Sequence, residues 1–311
     1  MPEHEPQGRE LLGEFLDRYD RTAVRAAHQV ILSYSTSFTL ATRLLEKRVR
    51  TDIRNLYAMV RIADEIVDGT TEAAGVPHEE VAALLDDYER AVLDAPRHRF
   101  HVDPVLHAYA LTARRCRFNP EHVVAFFSSM RRDLHQATHD GRSFNDYVYG
   151  SAEVIGLLCL SAFLVDHPVT DDERARLESG ARSLGAAFQK INFLRDLAED
   201  SGTLGRTYFP GLAENGLTEE HKADLIADIR IDLADARAVI PLLPVTARTG
   251  VLAATGLFAE LTDRIEALPA AELTRRRVSV PRRTKTAILA RALTSAPRLN
   301  RRTNRRKGTR P

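Results

Sequence analysis

Two pairs of aspartates at helical spacing are the residues of this chain best suited to chemistry. Asp64 and Asp68 are four residues apart, as are Asp196 and Asp200. On a helix such residues share one face, so each pair places two like charges side by side. A bound divalent cation relieves that repulsion, and Mg²⁺ favours carboxylates together with substrate phosphates. Two such pairs facing each other across a helical bundle predict a metal cluster whose natural ligand is a diphosphate.

The surroundings of the first pair leave a simpler interpretation open. Tyr57 and Arg61 precede Asp64 on the same helix face, at spacings of four and three residues. Carboxylate pairs at this spacing are common on solvated helix surfaces. Taken alone, the segment could be an acidic helix end with a salt bridge from Arg61 to Asp64.

The second pair belongs to a longer polar ridge. Gln189, Asn192, Asp196 and Asp200 follow one another at spacings of three, four and four residues, among apolar neighbours. A largely buried ridge of this kind is costly unless partners satisfy it. Beyond the ridge, Arg206 stands on a glycine-bearing loop from which it could reach a phosphate.

These residues need helices to position them. Apolar residues recur at spacings of three and four residues along the chain, which predicts an all-helical protein. Gly and Pro clusters separate the segments, and residues 201–211, with three glycines and one proline, predict a loop. The predicted helices cover residues 9–18, 21–33, 37–47, 51–68, 78–94, 104–114, 120–137, 143–165, 171–200, 218–240 and 245–268.

Composition excludes several classes of protein. The 311 residues are 44% hydrophobic and 28% charged, which is typical of a globular chain with a sizeable core. Cys116 and Cys159 form no CxxC pair, and the eleven histidines form no HExxH motif, so a disulfide scaffold and a zinc site are not expected. No run reaches the ~18 apolar residues of a membrane span, and the N-terminus is polar and acidic. We therefore expect a cytoplasmic protein.

Charge is distributed unevenly along the chain. Residues 274–311 contain 14 of the 44 basic residues and no acidic residue, whereas all 43 acidic residues lie in residues 1–273. The split predicts a helical domain over 1–273 and a basic, partly disordered tail over 274–311 that contacts an anionic partner. Within the tail, residues 284–296 predict a short helix with Ile288, Leu289 and Leu293 on one side, suited to an anionic membrane surface. Residues 298–311 are expected to be disordered.

Four blocks, in this order, carry a family resemblance. They are Ser35-Thr36-Ser37-Phe38, then Tyr57 to Arg61 running into Asp64 to Gly69, then Tyr147 to Ala152 with Gly156, then Gln189 to Asp200 continuing into Gly205 to Pro210. Together they resemble the squalene and phytoene synthases, which join two prenyl diphosphates head to head. The likeness extends over roughly residues 30–270 and implies the all-α isoprenoid-synthase fold, a single helical bundle around a central cavity.

The resemblance also implies roles for individual residues. It implies that Mg²⁺, with Mn²⁺ as an alternative ion, is bound by Asp64, Asp68, Asn192, Asp196 and Asp200. It implies substrate contacts from Ser35, Ser37, Phe38, Tyr57, Arg61, Gln189, Asn192, Arg195, Arg206 and Tyr208. Tyr147 matches a cavity tyrosine near the reacting carbons and joins the four aspartates as a catalytic residue. Ser35 and Ser37 could instead be helix N-caps, and Tyr147 an ordinary core aromatic.

One residue departs from the family pattern. Glu153 stands where many members have glycine after the alanine of the tyrosine block. A carboxylate there would change the packing or the polarity of the cavity wall.

The expected reaction is the Mg²⁺-dependent condensation of two geranylgeranyl diphosphates, through a cyclopropylcarbinyl (prephytoene) diphosphate, to phytoene, without NADPH. Squalene or dehydrosqualene synthesis from farnesyl diphosphate is the alternative. A chain elongase or terpene cyclase is disfavoured because the DDxxD motif is missing. A scaffold that binds nucleic acid through the tail would leave the polar ridge unexplained, so no nucleic acid is expected. The oligomeric state is left open.

Overall fold

A computed structural model describes residues 5–199, 208–212 and 216–307. In these ranges all regular elements are helices. They are α1 (Glu5–Tyr34), α2 (Thr36–Thr42), α3 (Lys47–Val67), α4 (Thr70–Ala73), α5 (His78–Asp94), α6 (Pro104–Cys116), α7 (Pro120–His135), α8 (Gly141–Val148), α9 (Val154–Leu164), α10 (Asp171–Glu199), α11 (Glu219–Val239), α12 (Val245–Glu266), α13 (Ala270–Leu273) and α14 (Arg282–Lys307). The prediction of an all-helical chain is confirmed.

Short polar side chains fix where several helices begin. Asp103 accepts hydrogen bonds from the amides of Val105 and Leu106, at 2.7 and 3.1 Å, and α6 starts with a proline. Asn119 caps α7 in the same way, also before a proline. Proline suits the first helical position because its missing N–H would be unpaired there in any case. The sequence signals for these starts are therefore physically sufficient.

The predicted helices differ from the observed ones in two places, one where two segments join and one where a segment is divided. Residues 9–18 and 21–33 form one helix, α1, because the residues between them are held by polar contacts: the Tyr19 hydroxyl donates to the His101 carbonyl at 2.8 Å, and the Asp20 carboxylate lies 2.7 Å from His107 Nε2 on α6. The predicted helix 143–165 is divided by a π-helical turn over Tyr149–Glu153 into α8 and α9. Such turns insert a residue into the hydrogen-bond ladder and often occur at functional sites.

The π turn is held against α7 by close packing. The Ser129 hydroxyl donates to the carbonyl of Tyr147 at 3.2 Å. A Cβ on Gly150 would lie 2.2 Å from the Ser129 hydroxyl oxygen and 2.4 Å from the Ala125 carbonyl oxygen. Only glycine allows this approach, so Gly150 fixes how closely the turn packs on α7.

The long helix α10 lies at the centre of the bundle. It packs against α9 and the π turn on one side and against α11 on the other. Leu177, Ile191 and Leu194 on α10 are almost completely buried. Because α10 carries the polar ridge, this packing determines where the ridge points.

The C-terminal segment differs from its prediction. Val278 and Val280 belong to the core around α10, and α14 packs on α12 with Ala292 buried and Ile288 and Leu289 against it. The apolar side expected to lie on a membrane therefore mostly covers the protein itself, although Leu293 is 55% exposed. Residues 298–307, expected to be disordered, continue α14.

One helical stretch passes a length and composition test for a membrane span. Residues Gly141–Leu164 are apolar enough, contrary to the sequence expectation, but 61% of the apolar window is buried inside the protein. The stretch contains α8, the π turn and α9, which pack on α7 and α10. Its apolar character is that of a core element.

Candidate active site

A cavity of about 840 Å³ lies within the bundle, lined by residues from α1 to α3, the π turn, α9 to α12 and the segment before α14. Its lining changes along the two long helices. On α10 the lining residues from Leu177 to Phe188 are mostly apolar, and those from Gln189 to Asp196 are polar. On α3, Ile53 comes first and Arg61, Asp64 and Asp68 come last. The cavity therefore suits a ligand with a long apolar part and a charged end.

The acidic end of α3 contains one of the two predicted aspartate pairs. Burial and the charge of Asp68 raise the pKa of Asp64 well above its ordinary value. Negative charge is therefore costly here, and a cation would offset that cost. The Arg61 guanidinium pairs with Glu65 and lies 3.8 Å from Asp64, so the salt bridge of the simpler interpretation is only the longer of two contacts.

The predicted first diphosphate site lies beside this end of α3. Ser35, Ser37, Phe38 and Tyr57 all line the cavity. The Ser35 hydroxyl also caps α2 by accepting from the Phe38 amide at 3.3 Å, so the N-cap role considered for this serine is observed, and its substrate contact stays a prediction. The Phe38 and Tyr57 rings are 5.5 Å apart. Burial raises the pKa of Tyr57 to about 12, so its hydroxyl remains a hydrogen-bond donor at neutral pH.

The polar ridge of α10 supplies the other wall. Gln189, Asn192, Arg195 and Asp196 line the cavity. Arg195 Nε donates to the Asp196 carboxylate at 2.8 Å, and Arg277 Nε donates to the same carboxylate at 2.8 Å. This end of the cavity therefore presents carboxylates and guanidinium groups together, as a metal and diphosphate pair requires. Asp200 and Arg206, both predicted site residues, lie outside the described residues.

The oxygen donors present fit a hard cation such as Mg²⁺. Asn192 Oδ1 is buried and accepts no hydrogen bond from the described part of the chain. Such an atom needs a partner, and a cation held also by carboxylates would provide one. Within residues 5–199, 208–212 and 216–307, no three His, Cys, Asp or Glu side chains come together closely enough to share an ion. The complete ligand set, which includes Asp200, therefore stays a prediction.

Tyr147 and Tyr208 are buried and share one partner. Neither lines the described cavity wall, and they are 2% and 8% exposed. The Tyr147 hydroxyl donates to Asp133 Oδ2 at 2.8 Å, and the Tyr208 hydroxyl lies 3.5 Å from Asp133 Oδ1. The roles predicted for Tyr147 in catalysis and for Tyr208 in substrate binding stay predictions.

Glu153 does not alter the cavity wall. Its carboxylate accepts from Arg182 Nε at 2.7 Å and lines a separate surface groove beside the π turn. The neighbouring Ala152 faces the cavity instead. The expected change in the polarity of the cavity is therefore not found.

The sequence argument missed Arg277, which lines the cavity, and also Lys285 and Asp133, which are not part of its described lining. Arg277 and Lys285 lie in the basic segment that was assigned to a membrane; Lys285 Nζ lies 3.3 Å from the Thr36 hydroxyl. Burial lowers the pKa of Lys285, with the charges of Arg282 and Arg195 acting in the same direction. Asp133 had one detectable signal, because it continues the apolar helix face of Phe126 and Met130.

Comparison with known proteins adds relatives to this geometry. The profile described as squalene/phytoene synthase matches residues 31–284. The phytoene synthase 2, chloroplastic, of Oryza sativa subsp. japonica is 29% identical over 260 residues, covering 77% of this chain and 62% of the relative. The 15-cis-phytoene synthase of a Paracoccus species is 31% identical over 195 residues, covering 60% of each protein. The chain thus spans less than two thirds of the length of these curated relatives.

Solved structures agree on the fold. A dehydrosqualene synthase in complex with a ligand has a TM-score of 0.72 at 19% identity, covering 90% of this chain and 98% of that chain. The squalene synthase from Alicyclobacillus acidocaldarius has a TM-score of 0.64 at 20% identity, covering 82% and 94%. At these identities the likeness establishes the all-α isoprenoid-synthase fold.

Proposed function

Since the chain belongs to the squalene/phytoene synthase family, we propose that it condenses two geranylgeranyl diphosphates head to head, through prephytoene diphosphate, to phytoene. The observation that carries the proposal is that one cavity combines a charged end with an apolar interior. A prenyl diphosphate has the same division between a charged head and an apolar chain. Relatives named phytoene synthase, including bacterial ones, support the choice of product.

The charged end would bind the diphosphates. We propose that Asp64, Asp68, Asn192, Asp196 and Asp200 hold Mg²⁺, which when bound neutralises charge on the departing diphosphate. Arg61, Arg195 and Arg277 stand beside these carboxylates and can donate to diphosphate oxygens. Ser35 and Tyr57 offer hydroxyl donors to the first diphosphate.

The apolar interior would protect the reaction. Loss of diphosphate leaves an allylic cation, which water would quench. Phe163, Leu184 and Phe188 line this part of the cavity and exclude water from it. C1 of one chain then adds to the C2=C3 bond of the other, and loss of a proton from C1 of that second chain to the released diphosphate closes the ring of the cyclopropylcarbinyl diphosphate. A second ionisation, rearrangement and loss of a proton, which the released diphosphate can accept, give the product without a reductant.

The assay uses the full chain with labelled geranylgeranyl diphosphate and Mg²⁺, with and without NADPH. We expect a C40 product in both, and EDTA should abolish it. Turnover of farnesyl diphosphate alone, or squalene formed only with NADPH, would replace the proposal by the squalene or dehydrosqualene alternative.

Peripheral binding to an anionic membrane from the cytoplasm is proposed as well. Its support is the run of basic residues in 274–311. An apolar C40 product would leave such a site directly into lipid.

A further inference from the structure

We propose that Asp133 is a positioning residue that holds the diphosphate-binding end of the cavity in shape, an inference that rests on the proposed function. Asp133 lies on α7, and its carboxylate is 9% exposed. It gathers Tyr147 of α8 and Tyr208, which comes directly after residues 200–207. One buried carboxylate thus joins three separate parts of the chain.

The surroundings of this carboxylate form a tyrosine–aspartate cluster, defined as Asp133, His139, Tyr147, Phe193 and Tyr208. The Phe193 and Tyr208 rings stack with centroids 4.0 Å apart, and the His139 ring stacks on Tyr208 at 5.9 Å. All five side chains are less than a tenth exposed. A carboxylate in such surroundings is stabilised by hydroxyl donors, and charge-assisted hydrogen bonds are stronger than neutral ones.

Helix α7, which carries Asp133, packs against α3. The charge of Asp133 raises the pKa of Asp64, and the charge of Asp68 raises that of Tyr147, so these groups are close enough to interact. Burial is the largest cause of the raised pKa of Tyr147, whose hydroxyl therefore stays a donor. None of the five cluster residues lines the cavity as described. Their effect on a ligand would pass through the residues that do.

The cluster reaches the α10 ridge through Phe193, the neighbour of Asn192 on α10. Stacking of Phe193 on Tyr208 and the contact of Tyr208 with Asp133 tie this part of α10 to α7. Asp133 would thereby hold the α10 ridge where Asn192 lines the cavity.

The test measures binding of inorganic pyrophosphate with Mg²⁺ to the folded full chain by calorimetry. Asp133→Asn keeps the size of the side chain but removes the charge and one acceptor. We expect its affinity for pyrophosphate to fall about tenfold to a hundredfold, the range typical of removing residues that support a metal site without touching the ion. Asp232→Asn is the matched control, because Asp232 is a half-buried carboxylate paired with Lys190 outside the cavity. The control should bind pyrophosphate like the unaltered chain.

A double-mutant cycle separates positioning from general destabilisation. Tyr147→Phe should weaken pyrophosphate binding, and combining it with Asp133→Asn should add little, because both changes break one interaction. Fully additive losses, or unaltered affinity in Asp133→Asn, would overturn the proposal. If Asp133→Asn does not fold, Tyr147→Phe and Tyr208→Phe decide instead, and unaltered affinity in both overturns it.

The outcomes also separate this inference from the proposed function. A chain that binds pyrophosphate but condenses no prenyl diphosphate refutes the function and leaves the role of Asp133 to the affinity measurements. A chain that makes phytoene but tolerates Asp133→Asn refutes only the inference. Absence of pyrophosphate binding by the unaltered chain refutes both.

Discussion

At the scale of single residues, the cavity brings opposite charges close together before any ligand is considered. Asp196 is shared by Arg195 and Arg277, and Arg61 is shared by Glu65 and Asp64. These guanidinium groups would have to divide their hydrogen bonds between the carboxylates and a diphosphate. A cation on the carboxylates would compensate for the donors that turn toward the diphosphate, so binding of the two should be mutually dependent.

Removal of one aspartate from either pair should therefore lower turnover by orders of magnitude while the fold survives. Asp64→Ala and Asp196→Ala are expected to lower kcat by orders of magnitude at saturating Mg²⁺, because each removes a proposed metal ligand. Loss of Asp64 also relieves its repulsion by Asp68, so the melting temperature should not fall with the activity. Near-normal turnover in either variant would remove that aspartate from the metal site.

The buried imidazole of His139 should make stability depend on pH. Burial lowers its pKa below the ordinary 6.5, so the unfolded chain binds the proton more readily. The contribution of His139 to the free energy of unfolding is then fully present above about pH 6.5. It is lost as the pH falls from there toward the lowered pKa of the folded state. His139→Phe keeps a ring against Tyr208, and its free energy of unfolding should fall less between about pH 7.5 and about pH 5.5. Equal falls in both proteins would contradict this assignment.

Sequence reasoning placed the residues whose position follows from spacing. Asp64, Asp68, Asn192 and Asp196 were expected on shared helix faces, and all four line the cavity. It gave no sign of the contacts of Tyr147 and Tyr208 with Asp133, since a hydroxyl's direction depends on a partner distant in sequence. Arg277 was missed for a related reason. A run of basic residues shows that the segment is positively charged, but not that one of its arginines contacts Asp196 on α10.

At the scale of elements, the π turn between α8 and α9 shows how a local irregularity shapes the cavity. It places Ser151 and Ala152 in the cavity wall while Gly150 packs on α7. Periodicity alone predicted an uninterrupted helix here, since one inserted residue hardly alters the apolar pattern. The sequence predicted which segments are helical and where several helices begin. It did not predict where two segments join into one helix or where a helix is interrupted.

Close packing of Gly150 gives a stability prediction. Gly150→Ala should lower the free energy of unfolding by about 1–3 kcal/mol, because the new methyl overlaps the Ser129 hydroxyl and the Ala125 carbonyl. Gly141→Ala is the control. A Cβ at this first residue of α8 would have no atom within 4 Å. The control should be neutral or gain about 0.4–1 kcal/mol. Denaturant unfolding of both variants compares them, and equal stability would contradict the packing argument.

At the scale of the whole molecule, the C-terminal segment contributes both to the core and to surface charge. Val278, Val280 and Ala292 are buried, whereas Arg282 and Arg283 are exposed. Truncation at residue 273 would remove core and charge together and could not test membrane binding. A division between a folded domain ending at 273 and a separate tail stays a prediction of the sequence, and the packing of Val278 and Val280 argues for a later boundary.

Charge replacement tests membrane binding without removing core residues. Changing Arg298, Arg301, Arg302, Arg305 and Arg306 to Gln should reduce co-sedimentation with anionic vesicles, because each basic residue near such a surface contributes about 1 kcal/mol. The same five positions changed to Lys keep the charge and should retain binding. Added salt should weaken binding of the unaltered chain. Equal sedimentation of the Gln and Lys variants would exclude a charge-based role for these residues.

The contact of Arg277 with Asp196 also has a consequence for biosynthesis. Among the residues that the structure describes, Arg277 is the last in chain order to line the cavity, and Lys285, which lies beside Thr36, follows it. A nascent chain emerging from the ribosome would fold its earlier helices first, since folding during synthesis begins from the N-terminus. Until these residues emerge, the charged end of the cavity would remain open and short of positive charge. The enzyme would thus become competent only at a late stage of translation, when the last basic side chains reach the helices made first.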